Sequence, residues 1–299
     1  MDYLIVYNQF AGKGKAEKIA NKLADALLTL NKKATLFSNK REQDFYEFLL
    51  KQNLPDETTV ISVGGDGTAS TVINSILHAG KSFAVAVYSA GTANDFFIAS
   101  HLPKNIKKFV NAITQYQPKP IDLICYNNGD YALHALGAGT FTNANENFSR
   151  KSKRAFGKFG YYVRCFFSRF NAKSDELKII IDNSAAITLN AYFFYITNIQ
   201  VAGGFKNFSP LSSLQDNKIE ILAIKKCRFL PFCFVFLSLL FGRHIKSKNV
   251  FYASGKRISV TAKTKSCYNL LDVDGNKKEA MPLNAVVVSN KIKLYTKEG

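Results

Sequence analysis

The chain has 299 residues, 47% of them hydrophobic, and a formal net charge of +18. That length and apolar content exclude a chain disordered throughout and allow two domains of ordinary size around a substantial core. Five cysteines, an odd number without paired C-x-x-C spacing, exclude a disulfide scaffold or a zinc site of that kind.

In chain order, Leu4-Ile5-Val6-Tyr7 reads as a short strand running into the loop Asn8-Gln9-Phe10-Ala11-Gly12-Lys13-Gly14-Lys15. Ile19, Leu23, Leu27 and Leu30 then keep helical spacing. Lys13 and Lys15 either screen phosphates or open a solvated helix. The strongest signal follows: the β-branched run Val60-Ile61-Ser62-Val63, then Gly64-Gly65-Asp66-Gly67-Thr68, then Val72, Ile73, Ile76 and Leu77 at helical spacing. Glycines let a backbone approach a phosphate closely, and the N–H groups of a helix's first turn point at the anion. Asp66 alone would be repelled by that anion. A carboxylate there implies Mg²⁺, or a proton acceptor facing the transferred group, with a capping Asp in a tight turn as the plain alternative.

A second turn of the same kind, Ser89-Ala90-Gly91-Thr92-Ala93-Asn94-Asp95-Phe96-Phe97, follows Phe83-Ala84-Val85-Ala86-Val87. Parallel strands carry their C-terminal ends to one sheet edge, so the three loops are expected to face one crevice. None is a Walker loop or a G-x-G-x-x-G fingerprint.

These motifs resemble the diacylglycerol kinase catalytic-domain family, which takes in diacylglycerol, sphingosine and ceramide kinases and is more distantly related to NAD kinase. Gly64 to Thr68 resembles its G-G-D-G-T loop, Gly91 to Phe96 its G-T-x-N-D-F loop, and Asn8 with Gly12 its opening N-P-x-S-G motif. Asn198 with Gly203-Gly204, Pro210 with Asp216, and Asp274-Gly275 resemble its later elements. The resemblance implies an α/β N-terminal domain, residues 1–122 with 286–299 returning to it. It also implies a mainly β sandwich domain, residues 123–285, with the active site in the cleft between the two. It implies ATP and Mg²⁺ as cofactors. The nucleotide would be held by Asn8, Gly12, Gly64, Gly65, Gly67, Thr68, Gly91, Thr92, Asn94 and Asp95. Asp66 would serve the phosphate or metal side, Asp274 the acceptor side, and Asp216 a metal.

There are departures. Gln9 and Ala11 replace the first motif's proline and serine, and Asn217 replaces the glycine after Asp216. Asn276 stands where bacterial relatives carry a glutamate that resembles a general base, and an amide cannot accept that proton. The role would fall to Asp274 or to Glu279 moved inward; Asp272, two residues before Asp274, is either on the same strand face or an ordinary solvated turn residue.

Beyond Gln117-Pro118-Lys119-Pro120 the apolar runs are strand-like, at residues 131–136, 177–181, 191–199, 219–224 and 258–262, and the end reads as two short strands at 284–288 and 292–295. Residues 150–173 hold eight Lys or Arg and residues 221–271 hold ten, neither with an acid, which favours anionic surfaces. The thirteen apolar residues 229–241, flanked by Lys225, Lys226, Arg228, Arg243, His244 and Lys246, are too few for the ~20 that span a bilayer. They form either a buried helix or an apolar patch that dips into a membrane interface, joined by the aromatic and basic residues 154–170. No leader pattern precedes the first strand, so the expected setting is the cytoplasm with peripheral membrane association. The expected partners are a lipid substrate at an anionic surface and possible homodimer contacts, with no nucleic acid.

Three functions compete: an ATP-dependent lipid kinase, with diacylglycerol to phosphatidic acid as the default; a catalytically weak or inactive regulator that binds nucleotide and membrane, motivated by Asn276; and an NAD kinase, whose N-x-G-x-L-G-F and T-G-S-T-A-Y elements are not found.

Overall fold

A computed structural model describes residues 3–41, 43–91, 94–127, 129–139, 173–203, 205–264, 268, 270–279 and 281–297. The basic and aromatic stretches 150–173 and 154–170 lie outside these residues, apart from Lys173, as does Thr92. The chain divides into two compact units, Met1–Leu123 with Val288–Gly299, and Ile124–Val287.

The first unit is a parallel sheet with helices between its strands. Strands β1 (Tyr3–Tyr7), β2 (Ala34–Ser38), β3 (Thr59–Gly64) and β4 (Ala84–Ser89) lie in the order β2-β1-β3-β4. All six residues of β3 are buried, as a strand covered on both faces requires. Helix α1 (Ala16–Leu28) lays Ala16, Ala20, Leu23 and Leu27 on the sheet, and Leu30 falls beyond its end. Between β2 and β3 runs α2 (Asp44–Lys51), and α3 (Asp66–His78) follows β3 directly, burying Val72, Ile73 and Ile76. The short α4 (Asp95–Ala99) follows β4, and α5 (Ile106–Gln115) is capped by Asn105, whose side chain accepts from Lys108 N–H. The chain's end returns to this sheet. Lys293 and Leu294 pair in parallel with Ala84 and Val85, and the Tyr295 hydroxyl lies 3.2 Å from Thr59 Oγ1.

The second unit is antiparallel. It takes the end of β5 (Lys119–Tyr126), β6 (Asp130–Ala132), β7 (Ala135–Gly139), β8 (Asp175–Ile181), β9 (Ile187–Thr197), β10 (Ile219–Lys225), β11 (Val250–Gly255), β12 (Arg257–Ala262), β13 (Leu270–Val273), β14 (Asn276–Glu279) and the start of β15 (Leu283–Leu294). β9 is its spine, pairing with β7, β8 and β10. Leu177 and Ile179, Ile258 and Val260, and Leu283 and Ala285 alternate inward at zero or near-zero exposure and share one core with Phe194 and Tyr268. β10 is buried on both faces: Ile219, Ile221 and Ala223 join that core, whereas Leu222 and Ile224 join a second one. The second core is closed by α6 (Phe229–Leu240) through Phe232, Val235 and Leu239.

Two expectations change here. The run at 131–136 is two strands rather than one, broken at Leu133 and His134 where backbone N–H groups turn to a distant carboxylate. The two short terminal strands are a single twelve-residue strand, β15, that carries Asn290 at φ 62°.

Candidate functional site

In the first unit three loops leave the same end of the sheet. Asn8 N–H donates to Val63 O across β1 and β3, and its side-chain Oδ1 accepts from Phe10 N–H at 2.9 Å, which turns the chain into the 3-10 segment Ala11–Gly14 that holds the Gly12 backbone. Between the second and third loops the backbones touch. Ala90 N–H donates to Gly64 O at 2.7 Å, and a Cβ on Gly91 would come within 2.8 Å of Gly65 Cα, so only glycine fits there. A Cβ on Gly64 would meet Thr68 Oγ1 at 2.3 Å, which explains that glycine by the buried threonine one helical turn on.

Asn94 closes the third loop on itself. In a left-handed conformation (φ 55°), it accepts from Gly91 N–H at 3.0 Å and donates to Gly91 O at 2.7 Å, and this residue then caps α4. Asp66, the first residue of α3, reaches across to that helix. Its Oδ2 accepts from Asp95 N–H at 3.1 Å and its Oδ1 from Phe96 N–H at 3.0 Å. One carboxylate therefore ties the two glycine-bearing turns together, and Asp95 sits buried behind it. The first N–H groups of α3, those of Asp66 and Gly67, have no helix carbonyl ahead of them, and the helix dipole favours an anion at that point.

The donor set fits a nucleotide-bound Mg²⁺. Each Asp66 oxygen carries one N–H bond and keeps a second lone pair, and Mg²⁺ takes one or two carboxylates together with phosphate oxygens. Asp216 offers less. Its carboxylate is exposed on a turn, Oδ1 accepts from Lys218 N–H at 3.1 Å, and no three His, Cys, Asp or Glu side chains gather as a metal cage among the described residues.

In the second unit Asp274 and Gly275, at φ 49° and 91°, form the two-residue turn between β13 and β14. The Asp274 side chain is turned inward, the residue 2% exposed. Oδ2 accepts from Leu133 N–H at 2.7 Å, Oδ1 from His134 and Ala135 N–H at 3.1 Å each, and His134 Nδ1 stands 3.0 Å from Oδ1. Burial alone would raise this carboxyl's pKa; the His134 ring and the backbone donors outweigh it and hold the group below its ordinary value. A carboxylate so occupied is an anchor and a poor proton acceptor, which argues against the acceptor-side role expected for it. Asp272 is different. It is half-buried, Oδ1 accepts from Gly275 N–H at 2.8 Å, and burial, with the nearby Asp274 charge adding to it, raises its pKa. Asn276 is exposed, and the Glu279 side chain lies outside the described residues.

Residues 2–126 match the diacylglycerol kinase catalytic domain, and residues 135–296 match the YegS C-terminal NAD kinase beta sandwich-like domain. The chain belongs to the diacylglycerol kinase catalytic-domain family. Among its relatives, a diacylglycerol kinase of Staphylococcus haemolyticus is 26% identical over 98% of this chain and 87% of its own length. A diacylglycerol kinase structure from Bacillus anthracis matches at a TM-score of 0.78 and 23% identity, covering 99% of this chain and 97% of that one. An NAD kinase of Archaeoglobus fulgidus in complex with ATP shares the fold at a TM-score of 0.57 and 14% identity, covering 99% and 94%. Both halves of the diacylglycerol kinase family's architecture are thus present, the α/β domain followed by the β sandwich-like one.

Sequence reasoning missed a buried polar chain in the second unit, because its members are far apart and belong to no motif. Glu220, 2% exposed, accepts from the Ser212 hydroxyl at 2.5 Å; Ser212 Oγ lies 2.6 Å from Ser209 Oγ, and Ser209 Oγ lies 2.9 Å from the Tyr252 hydroxyl. Burial pushes the Glu220 pKa up to about 7, against the Ser212 hydrogen bond. A carboxyl raised in the folded state favours folding below its unfolded pKa, and that advantage is lost as pH climbs toward 7. Glu220→Gln should therefore match the parent at pH 5 and exceed it by about 1–2 kcal/mol at pH 8, after allowance for partial solvent screening. Urea unfolding at the two pH values checks this; equal offsets would remove the effect.

Proposed function

We propose that this protein is an ATP-dependent lipid kinase that moves the γ-phosphoryl group of ATP to a lipid hydroxyl, with diacylglycerol as acceptor and phosphatidic acid as product. The observation that carries the reading is the Asp66 latch, which holds two glycine-bearing turns together at the C-terminal edge of a parallel sheet. Family membership supports a kinase, and the names of the relatives support a lipid acceptor.

In this reading the backbone N–H groups at the start of α3 receive phosphate oxygens, while Gly65 and Gly91 let the two loop backbones lie against each other beside them. Mg²⁺, when bound beside Asp66, neutralises phosphate charge. Asn94 keeps the third loop in the shape the nucleotide meets. The acceptor oxygen attacks the γ-phosphorus, its bond to the β-phosphate bridging oxygen breaks, and ADP leaves. Of the two carboxylates at the β13–β14 turn, Asp272, whose pKa is raised, suits the taking of the hydroxyl proton better than Asp274, whose pKa is lowered.

Asp272→Asn should cut turnover about 10²-fold or more while leaving the Michaelis constant for ATP within a few-fold. Unchanged turnover would move the proton elsewhere. A second reading rests on Asn276: with an amide at that position, the protein binds nucleotide and membrane as a regulator and transfers little phosphate. Incubation with γ-labelled ATP, Mg²⁺ and mixed micelles containing a panel of lipids, with NAD as a parallel acceptor, separates the readings. Label in an organic-extractable product supports the kinase; nucleotide binding without product supports the regulator; labelled NADP sinks both.

A further inference from the structure

α6 is apolar on both faces. Phe232, Val235 and Leu239, spaced by three and four, fill the second core, while Leu230, Phe234, Leu237 and Phe241, spaced by four, three and four, point outward at 69, 71, 53 and 73% exposure. Four large side chains on one side of a helix form a contiguous stripe, and such stripes on a protein surface mark a contact site. The only polar side chain in the helix, Ser238, satisfies its hydroxyl on Val235 O at 2.8 Å, so nothing along the stripe calls for water. At its two ends stand the exposed Lys226 and Arg228, and then Arg243, Lys246 and Lys248. No Asp or Glu occurs between residues 221 and 271.

We propose that α6 is a membrane-docking helix, lying flat at the boundary between headgroups and acyl chains of an anionic bilayer. Leu230, Phe234, Leu237 and Phe241 enter the apolar side, and the basic residues at both ends meet anionic headgroups. Twelve residues make a helix of about 18 Å, well short of the ~30 Å hydrocarbon core, so it lies in the interface rather than crossing it. Among the described residues no helix is long and apolar enough to cross a membrane. Charge selects the occupant. A second copy of this +18 chain would bring its own basic ends against these, whereas a phosphatidylglycerol surface complements them. The proposal deepens the lipid-kinase reading by naming the surface through which the protein meets its acceptor's membrane.

The test needs neither nucleotide nor acceptor, so it can fail or succeed apart from the kinase assay. The chain has no tryptophan, which makes Phe234→Trp a single fluorescent reporter at an exposed position. With the full chain and vesicles of phosphatidylcholine and phosphatidylglycerol, its emission should shift to the blue and be quenched by brominated acyl chains, and both effects should weaken in high salt or on pure phosphatidylcholine. The double variant Phe234→Glu, Leu237→Glu should bind these vesicles at least ~10-fold more weakly with an unchanged melting temperature. Vesicle binding by flotation with no spectral shift would place the contact elsewhere and overturn the proposal. So would a self-associated species in sedimentation that the double variant dissolves, since the face would then pair two copies. Vesicle binding as expected alongside a negative kinase assay would keep the docking helix and discard the activity.

Discussion

Asp66→Ala is expected to lower phosphoryl transfer by about 10²-fold or more and to weaken nucleotide binding with it. The methyl group leaves the N–H groups of Asp95 and Phe96 without the acceptor that orients them, and each orphaned donor costs about 1–3 kcal/mol. Their sum, about 2–6 kcal/mol, spans the ~2.7 kcal/mol of a 10²-fold loss when it falls on the arrangement that receives the phosphates. α4 has only five residues, and the side chain of its capping Asn94 is committed to Gly91. Asp66→Asn divides anchoring from charge. Its amide keeps one acceptor but turns an NH₂ toward a backbone N–H. If Asp66→Asn melts as the parent does and still fails to transfer phosphate, the negative charge is needed at the phosphates or the metal. If it recovers most of the activity lost in Asp66→Ala, Asp66 acts by holding the loops. Full transfer by Asp66→Ala would remove it from the site. Steady-state kinetics with nucleotide titration and thermal melting read all three variants.

The sequence carries the first unit almost openly, because a parallel βα arrangement writes itself in local patterns. The run at Val60 to Val63 is β3, its glycines open the loop, and Val72, Ile73 and Ile76 face the core as their spacing requires. Both glycine-bearing turns are legible as turns. That Asp66 in one of them is the acceptor for the other's helix is not, since the partners lie 29 and 30 residues away and no periodicity records such a bond.

The second unit is harder to read for the same reason at longer range. Tyr131 to Leu136 has the composition of one strand, and what breaks it is the Asp274 carboxylate, 139 to 141 residues further on. The apolar run at residues 229–241 admits two sequence readings because its overall apolarity hides its faces. The structure divides them by side, one buried in a core and the other exposed. Glu220 reads as an ordinary strand residue until Ser212, Ser209 and Tyr252 are brought to it.

Asp274→Asn is expected to destabilise the second unit by about 3–5 kcal/mol, the scale of breaking a buried charged network by altering one member. The four contacts leave no good orientation for an amide. With its oxygen toward His134 and Ala135 N–H, the NH₂ faces Leu133 N–H, and after a flip it faces the other two donors and the His134 ring. One or two buried N–H groups at the β6–β7 break then lose their acceptor, and the register of β13 against β7 loses the tie that fixes it. The pH dependence supplies a second signature. The folded pKa lies below the ordinary 3.8, so the stabilisation from this carboxylate is complete above that value and drains as pH falls through the lower folded one. The parent should therefore lose stability steeply below about pH 4, whereas Asp274→Asn, already weakened, should show a flatter acid limb over the same range. Urea unfolding of both proteins at pH 7 and pH 3 measures each quantity. Equal midpoints at pH 7 would mean that Asp274 is not the anchor of this turn, and the acceptor-side role would return to it.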